Sequence, residues 1–229
     1  MGLCLWILDF WLESSIQKPE TSFVNSISAQ KTETDAKLLR IAAQIDKFER
    51  YHTSHSELIA AISESLGAAF NLASRDRFFL QQAALLHDIG EMSMNREYIR
   101  SPRVLTANER IDLQRHPVIG EQETAKLGLP RGVQLIVRWH HEWWNGSGYP
   151  DGLETEQTPL AARILRVADT YAALTSVRPS RGAMSTEEAK KYLVEWAGIE
   201  FDPAIVKAFL ETTGWERGQP EPVAHIQSN

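Results

Sequence analysis

The chain has 229 residues and one cysteine, Cys4, with 24 Lys and Arg against 30 Asp and Glu for a formal net charge of -6. That length can bury one sizeable core, the lone cysteine rules out an internal disulfide and fits a reducing cytoplasm, and the acidic balance argues against a DNA- or RNA-binding protein, whose surface is normally basic. No stretch is long and apolar enough to span a bilayer, so no transmembrane segment is expected.

Met1 to Leu12 is apolar and aromatic, with Trp6, Phe10 and Trp11, yet lacks the basic start and small-residue cleavage site of a secretory signal. A partner-facing or membrane-surface helix and a segment folded back on the domain both fit it. Glu13 to Lys31 is polar. Residues 1–31 are therefore expected to form an apolar segment and linker and 32–212 the folded domain, with 213–229 a disordered tail in which His225 is solvated.

The apolar positions Leu38, Ile41, Ile45 and Phe48, then Ile59, Ile62 and Leu66, follow helical spacing, and His52 and His55 continue that stripe. A further helix is expected from Ser74 as N-cap, through Phe79, Leu80, Ala83 and Leu86, to Gly90 as C-cap. His87 follows Ala83 by four and Leu80 by seven, so it faces the core at the helix end with Asp88 beside it. Met92 to Thr106 suggests an ordered loop or short helix, and Pro117 makes His116 extended or terminal.

Pro130 suits the first turn of a helix through Val133, Ile136, Val137 and Trp139. His140 and His141 follow Ile136 and Val137 by four, which places both on its buried side. A lone histidine there is usually a hydrogen-bonded core residue. A pair followed by Glu142 points instead to metal, and because neighbouring helical positions diverge by about 100° the rings suit two ions better than one. Gly146 to Gly152, with three glycines and Pro150, then shapes a tight, backbone-exposing turn.

Thr158-Pro159 opens a helix that is apolar nearly all round and contains Asp169, whose carboxylate needs a partner there. Arg178 and Arg181 follow, and guanidinium forks suit phosphate oxygens. Ser185 with Glu188 makes the capping box of a helix through Trp196 that Gly198 ends, and Asp202-Pro203 starts another through Leu210. No alternating strand pattern of useful length occurs, so the expected fold class is all-α.

The stretch His140-His141-Glu142-Trp143-Trp144-Asn145-Gly146-Ser147-Gly148-Tyr149-Pro150 resembles the signature of the HD-GYP domain, a subgroup of the HD superfamily of metal-dependent phosphohydrolases. The resemblance runs from about Tyr51 to Leu210 and takes in His87-Asp88-Ile89-Gly90, His116-Pro117, Val167-Ala168-Asp169 and Arg178-Pro179-Ser180-Arg181 in the family's order. It implies an HD-superfamily helical domain with a GYP-type loop and a binuclear centre held by His55, His87, Asp88, His116, His140, His141 and Asp169, with Asp88 bridging. Iron or manganese would be the first choice of metal, with zinc, magnesium or nickel also compatible.

The implied reaction is hydrolysis of cyclic di-GMP to pGpG, GMP or both. Arg178 and Arg181 would hold phosphate, and the loop with Gly148, Tyr149 and Pro150 would shape the guanine end, with Tyr149 and Trp144 as candidate stacking surfaces. Asp88 and Glu91 are the residues assigned to catalysis. The resemblance also implies a homodimer or a GGDEF-type or sensor protein as the partner to expect.

Four departures stand out. Glu91 replaces the family's lysine, and Tyr51 stands where trinuclear members carry a glutamate, which argues against a third metal. Glu91 could instead supply a carboxylate to the cluster. Asn145 and Ala172 replace aspartates. These changes motivate a catalytically weak cyclic di-GMP receptor as the alternative, and a phosphohydrolase of another nucleotide as a third reading.

Overall fold

A computed structural model describes residues 19–177 and 182–212, with side chains from residue 33 onward. Arg178, Arg181, His225, the apolar start and the expected tail lie outside the described residues. The helix Pro19–Phe48 (α1) begins inside the stretch expected to be a polar linker. Residues up to Leu39 form a unit of their own, and a second compact unit begins at Arg40.

Within the second unit the elements are His55–Ala69 (α2), Ser74–Leu86 (α3), Ile89–Met94 (α4), Ala107–Leu113 (α5), His116–Lys126 (α6), Arg131–Trp139 (α7), Leu160–Thr175 (α8), Thr186–Glu195 (α9) and Pro203–Glu211 (α10). Two short 3-10 turns, Glu97–Arg100 and Thr155–Gln157, join them. Among the described residues the only β pairing is two isolated bridges, Asn145 with Glu154 and Ala197 with Phe201.

Helix α8 is the axis. It buries Ala161, Ala162, Ile164, Leu165, Val167, Ala168, Asp169, Tyr171, Ala172 and Leu174, which leaves almost no solvent face. Helices α2, α3, α7 and α9 pack against it, and α3 also packs on α2 and α7. Each fully buried Ile or Leu here, such as Ile59, Ile62, Leu80, Ile164 and Leu193, contributes about 1.5–3 kcal/mol of burial.

The stripe from Leu38 to Leu66 is not one helix. It breaks after Phe48, with Arg50 at φ 66°, and the chain re-enters a helix at His55. Asp46, from the end of α1, receives Ser56 N at 3.1 Å and Ser56 Oγ at 2.6 Å. That carboxylate caps α2 from outside, where the free N–H groups and the helix dipole favour negative charge. His55 is thereby fixed as the first residue of the helix.

Ser74 is the first residue of α3 and Ala73 its N-cap. Gly90 is not a C-cap: the helix passes through His87, breaks at Asp88 and resumes as α4, with Gly90 inside it. Its role is close approach. A Cβ on Gly90 would lie 2.0 Å from His116 O, so the missing side chain lets α4 lie on α6, with which it packs.

Helix α7 ends at Trp139, leaving His140 as its C-cap and His141 just beyond. The following loop is held shut by Glu142, whose carboxylate accepts Asp151 N at 2.7 Å and Leu153 N at 3.0 Å. Gly148 lies so close to the chain that a Cβ would meet Trp143 N at 2.2 Å and His141 O at 2.5 Å. Trp144 N and Asn145 N donate to Glu200 O and Ile199 O, which ties the loop to the turn before α10. The expected caps of the last two helices are present: Ser185 with Glu188, and Asp202 receiving Ala204 N.

Candidate metal centre

Seven side chains converge in the interior: His55, His116 and Asp169 from within α2, α6 and α8, and His87, Asp88, His140 and His141 from helix ends. One atom from each of Asp88, His116, His140 and His141 lies within 4.8 Å of the others, and His55, His87 and Asp169 form a second such group. Asp88 stands between them. Its Oδ1 is 3.1 Å from His116 Nε2 and 3.6 Å from His140 Nε2, while its Oδ2 is 3.1 Å from His87 Nε2. Asp169 Oδ1 is 3.7 Å from His87 Nε2 and 3.9 Å from His55 Nε2.

The imidazoles are oriented for inward coordination. Nδ1 of His87, His116 and His140 lies 2.9, 2.8 and 2.6 Å from the carbonyls of Ala84, Leu113 and Val137. Each carbonyl accepts the Nδ1 proton, so that in the neutral ring the lone pair is on Nε2, pointing inward. All three carbonyls belong to the residue three positions earlier, so the local helical turn itself sets the tautomer. His55 buries both ring nitrogens, and His87 its Nε2, without a hydrogen bond. Buried nitrogens of this kind are costly unless something coordinates them, and a set of imidazoles with two carboxylates fits divalent transition-metal ions.

His141 is different. Its Nδ1 lies 2.7 Å from Arg166 Nη1, and Arg166 is in turn paired with Glu200 and lies 3.7 Å from Asp169 Oδ2. Tyr149 stacks on the other side of His141, with ring centroids 4.9 Å apart and planes at 25°. Trp144 instead has the Arg163 guanidinium over its ring. Tyr51 stacks flat on His55 at 3.7 Å. His52 is exposed and joins neither group.

The electrostatics follow from this crowding. Burial pushes the His55 imidazolium down to about 3, and the nearby His87 adds to the effect. Burial likewise lowers His140 and His141. At His87 burial opposes the charge, but Asp88 and Asp169 outweigh it and raise the imidazolium well above its usual range. Asp88 is held well below the carboxylate range because His87, His116 and His140 overcome the cost of burial. Glu91 goes the other way: burial, then the charges of Asp88 and Glu49, push it well above that range.

A cavity of about 390 Å³ opens beside the histidines, and Asp88, Glu91, His141, Arg166 and Asp169 line it. Sequence reasoning missed three residues here. Glu49 and Glu200 are buried at the cavity, and Arg166 bridges His141 to Glu200. Arg166 lies three residues before Asp169 on α8, so helical spacing alone could have flagged it.

A family model described as HD domain matches residues 30–205. The chain belongs to the HD domain family. The HD pair itself is His87-Asp88, and the Gly148-Tyr149-Pro150 loop is of the HD-GYP type. Among curated relatives, this HD domain chain is 33% identical over 199 residues to the cyclic di-GMP phosphodiesterase response regulator RpfG of Xanthomonas campestris, covering 86% of this chain and 52% of that protein. It is 29% identical over 182 residues to 3'3'-cGAMP-specific phosphodiesterase 2 of Vibrio cholerae, covering 78% of this chain and 35% of that protein. The chain thus spans about half or less of the length of these relatives.

Solved structures support the HD fold. The cyclic GMP-AMP-specific phosphodiesterase V-cGAP3 of V. cholerae superposes with a TM-score of 0.59 at 19% identity, over 76% of this chain and 48% of that one. Bd1817, an HDG"Y"P protein from Bdellovibrio bacteriovorus, superposes with a TM-score of 0.57 at 20% identity, over 69% of this chain and 51% of that one. No helix among the described residues is long and apolar enough to cross a membrane.

Proposed function

We propose that this chain is a metal-dependent phosphodiesterase that hydrolyses cyclic di-GMP to pGpG, GMP or both. The observation that carries the proposal is Asp88, whose two oxygens face two separate imidazole groups. That arrangement suits a shared carboxylate between two ions, iron or manganese by preference. Relatives named for cyclic di-GMP and for 3'3'-cGAMP add support, since both substrates are cyclic purine dinucleotides.

His116, His140, His141 and Asp88 would hold one ion, and His55, His87, Asp169 and Asp88 the other. Two divalent ions so placed would lower the pKa of a water and screen charge on the phosphoryl oxygens. The protein's own part is orientation and exclusion of water. Helical carbonyls set the inward nitrogen of three imidazoles, Tyr149 walls off His141, and the Glu142-closed loop shapes the mouth. Arg178 and Arg181 are assigned to phosphate, and Gly148, Tyr149 and Pro150 to the nucleobase side. Glu91 is assigned a catalytic part beside Asp88.

Residues 32–212 would be the catalytic domain, working in the cytoplasm, with 1–31 and 213–229 as appendages and a homodimer or GGDEF-type or sensor protein as the partner to look for. The test is anaerobically purified protein analysed for metals, then incubated with cyclic di-GMP, with products separated and binding measured on the same sample. About two metals per chain and a linear product are expected. Metal with tight binding and no product would make the chain a receptor. Neither binding nor cleavage would point to another nucleotide.

A further inference from the structure

The cavity beside the histidines is built mostly from acid. Glu49, Asp88, Glu91, Asp169 and Glu200 line it, and Arg166 is the one Arg or Lys side chain that does so among the described residues. Carboxylates can face metal ions, but a phosphodiester anion also needs a fixed cation with N–H groups to donate. Arg166 is the lining residue that offers both.

Arg166 stands between the two histidine groups. Its Nη1 donates to His141 Nδ1 at 2.7 Å, and the same atom lies 3.7 Å from Asp169 Oδ2, so it reaches one member of each group. Glu200 holds the guanidinium by accepting from Nη2. The other oxygen of Glu200 accepts the Tyr192 hydroxyl at 3.5 Å, which steadies the carboxylate in turn.

The guanidinium is under-filled. It carries five N–H donors, and the structure engages one on Nη1 and one on Nη2. Nε is buried with no hydrogen-bond partner, and Asp169 lies beyond hydrogen-bond distance. A pair built only to stabilise the core would fill such donors, because leaving them unmet under burial is costly. Open donors beside a cavity of about 390 Å³ suit a ligand rich in acceptors.

We propose that Arg166 is a catalytic residue that grips the non-bridging oxygens of the phosphodiester under attack, through the N–H groups that His141 and Glu200 leave open, and that Glu200 is the positioning residue that fixes its plane. The inference rests on the cyclic dinucleotide reading above. Arg166 would bind the substrate phosphate and also stabilise the charge on its oxygens in the transition state. Arg178 and Arg181 follow α8 in the sequence, whereas Arg166 is part of α8 itself, three residues before Asp169.

The test is rapid-filtration binding of cyclic di-GMP to the metal-loaded full chain, with KM and kcat for turnover, in the wild type, Arg166→Lys and Arg166→Met/Glu200→Leu. Metal content and Tm are measured on the same preparations. Loss of the charge-assisted hydrogen bonds should weaken binding on the order of ten- to a hundredfold in the double variant, with metal content no lower than in the wild type. Arg166→Lys keeps the charge and the pair with Glu200 but not the fork, so its affinity should fall between the two. Wild-type affinity in both variants, or a loss of affinity that merely tracks a loss of metal or of Tm, would overturn the role of Arg166 and leave the phosphodiesterase reading in place. Neither binding nor cleavage of cyclic di-GMP by the metal-loaded wild type would overturn both.

Discussion

Arg166 Nη1 lies 2.7 Å from His141 Nδ1. A guanidinium can only donate, so Nδ1 of His141 is the acceptor and a neutral ring carries its proton on Nε2. This is the opposite of His87, His116 and His140. His141 would therefore face an ion through Nε2 only by losing that proton, or through Nδ1 only by displacing Arg166. Replacing Arg166 with Met should tighten Mn²⁺ binding at the Asp88, His116, His140 and His141 group, measured by competition with a chelator.

The same substitution has a stability cost. Arg166 and Glu200 form a pair whose side chains are 14% and 4% exposed. Removing one partner of such a buried pair costs roughly 3–5 kcal/mol because the other charge is stranded. Arg166→Met should lower Tm by roughly 10 °C in a chain of this size. The double variant Arg166→Met/Glu200→Leu should recover much of the loss, and a double variant as unstable as the single one would show that pairing is not the cause.

Asp88→Asn keeps the shape of the side chain but removes the charge shared by His87, His116 and His140. Metal affinity should fall by at least about tenfold, the scale on which loss of even an outer-shell partner is felt. Because both groups lean on this carboxylate, total metal content should fall by more than it does in His55→Ala, as read by elemental analysis after dialysis.

Gly148→Ala would place a methyl group 2.2 Å from Trp143 N and 2.6 Å from Glu142 Cα. These are backbone atoms, so the loop must shift as a whole, at a cost of about 1–3 kcal/mol. The expected result is a lower Tm together with loss of cyclic di-GMP binding, whereas Gly128→Ala, strained by its φ of +77° but with nothing near its Cβ position, is expected to lower Tm without loss of binding.

Acid should unfold the metal-free protein early. Burial and the nearby His87 push His55 from the ordinary imidazole value of 6.5 down to about 3, so its folded-state pKa lies below the unfolded one. Its contribution to stability is complete above about pH 6.5 and is lost progressively as the pH falls towards 3. His87 has the opposite sign and offsets part of this. Melts of chelator-treated protein across that range should show a falling Tm, and His55→Gln should flatten the dependence.

Much of the clustering was legible from residue order because most of these side chains sit at helix ends. His87, His116 and His140 each lie at or next to a helix boundary, and the apolar spacing that marks the boundary also marks the inward face. The all-α class followed from the same periodicity. What spacing did not show is long-range partnership. Glu49 lies near Asp88 and Glu91 just past the end of α1, where the chain turns at Arg50, a break hidden by apolar positions that continue the stripe. The Arg166–Glu200 pair spans 34 residues, and no local pattern connects them. Gly90 looked like a helix terminator for the same reason, since the backbone of α6 that excludes its side chain is contributed by a segment 26 residues away.

The tether from the Trp144-Asn145 segment to Ile199 and Glu200 ties the centre to the order in which the polypeptide is made. His141 leaves the ribosome well before the turn that secures its loop, and about sixty further residues must emerge first. A nascent chain therefore carries all seven side chains of the candidate centre for about two to six seconds, at ordinary synthesis rates of about 5–20 residues per second, before the loop that orders two of them can be fastened. A chain released short of Phe201 would hold these histidines without the backbone tether to Ile199 and Glu200.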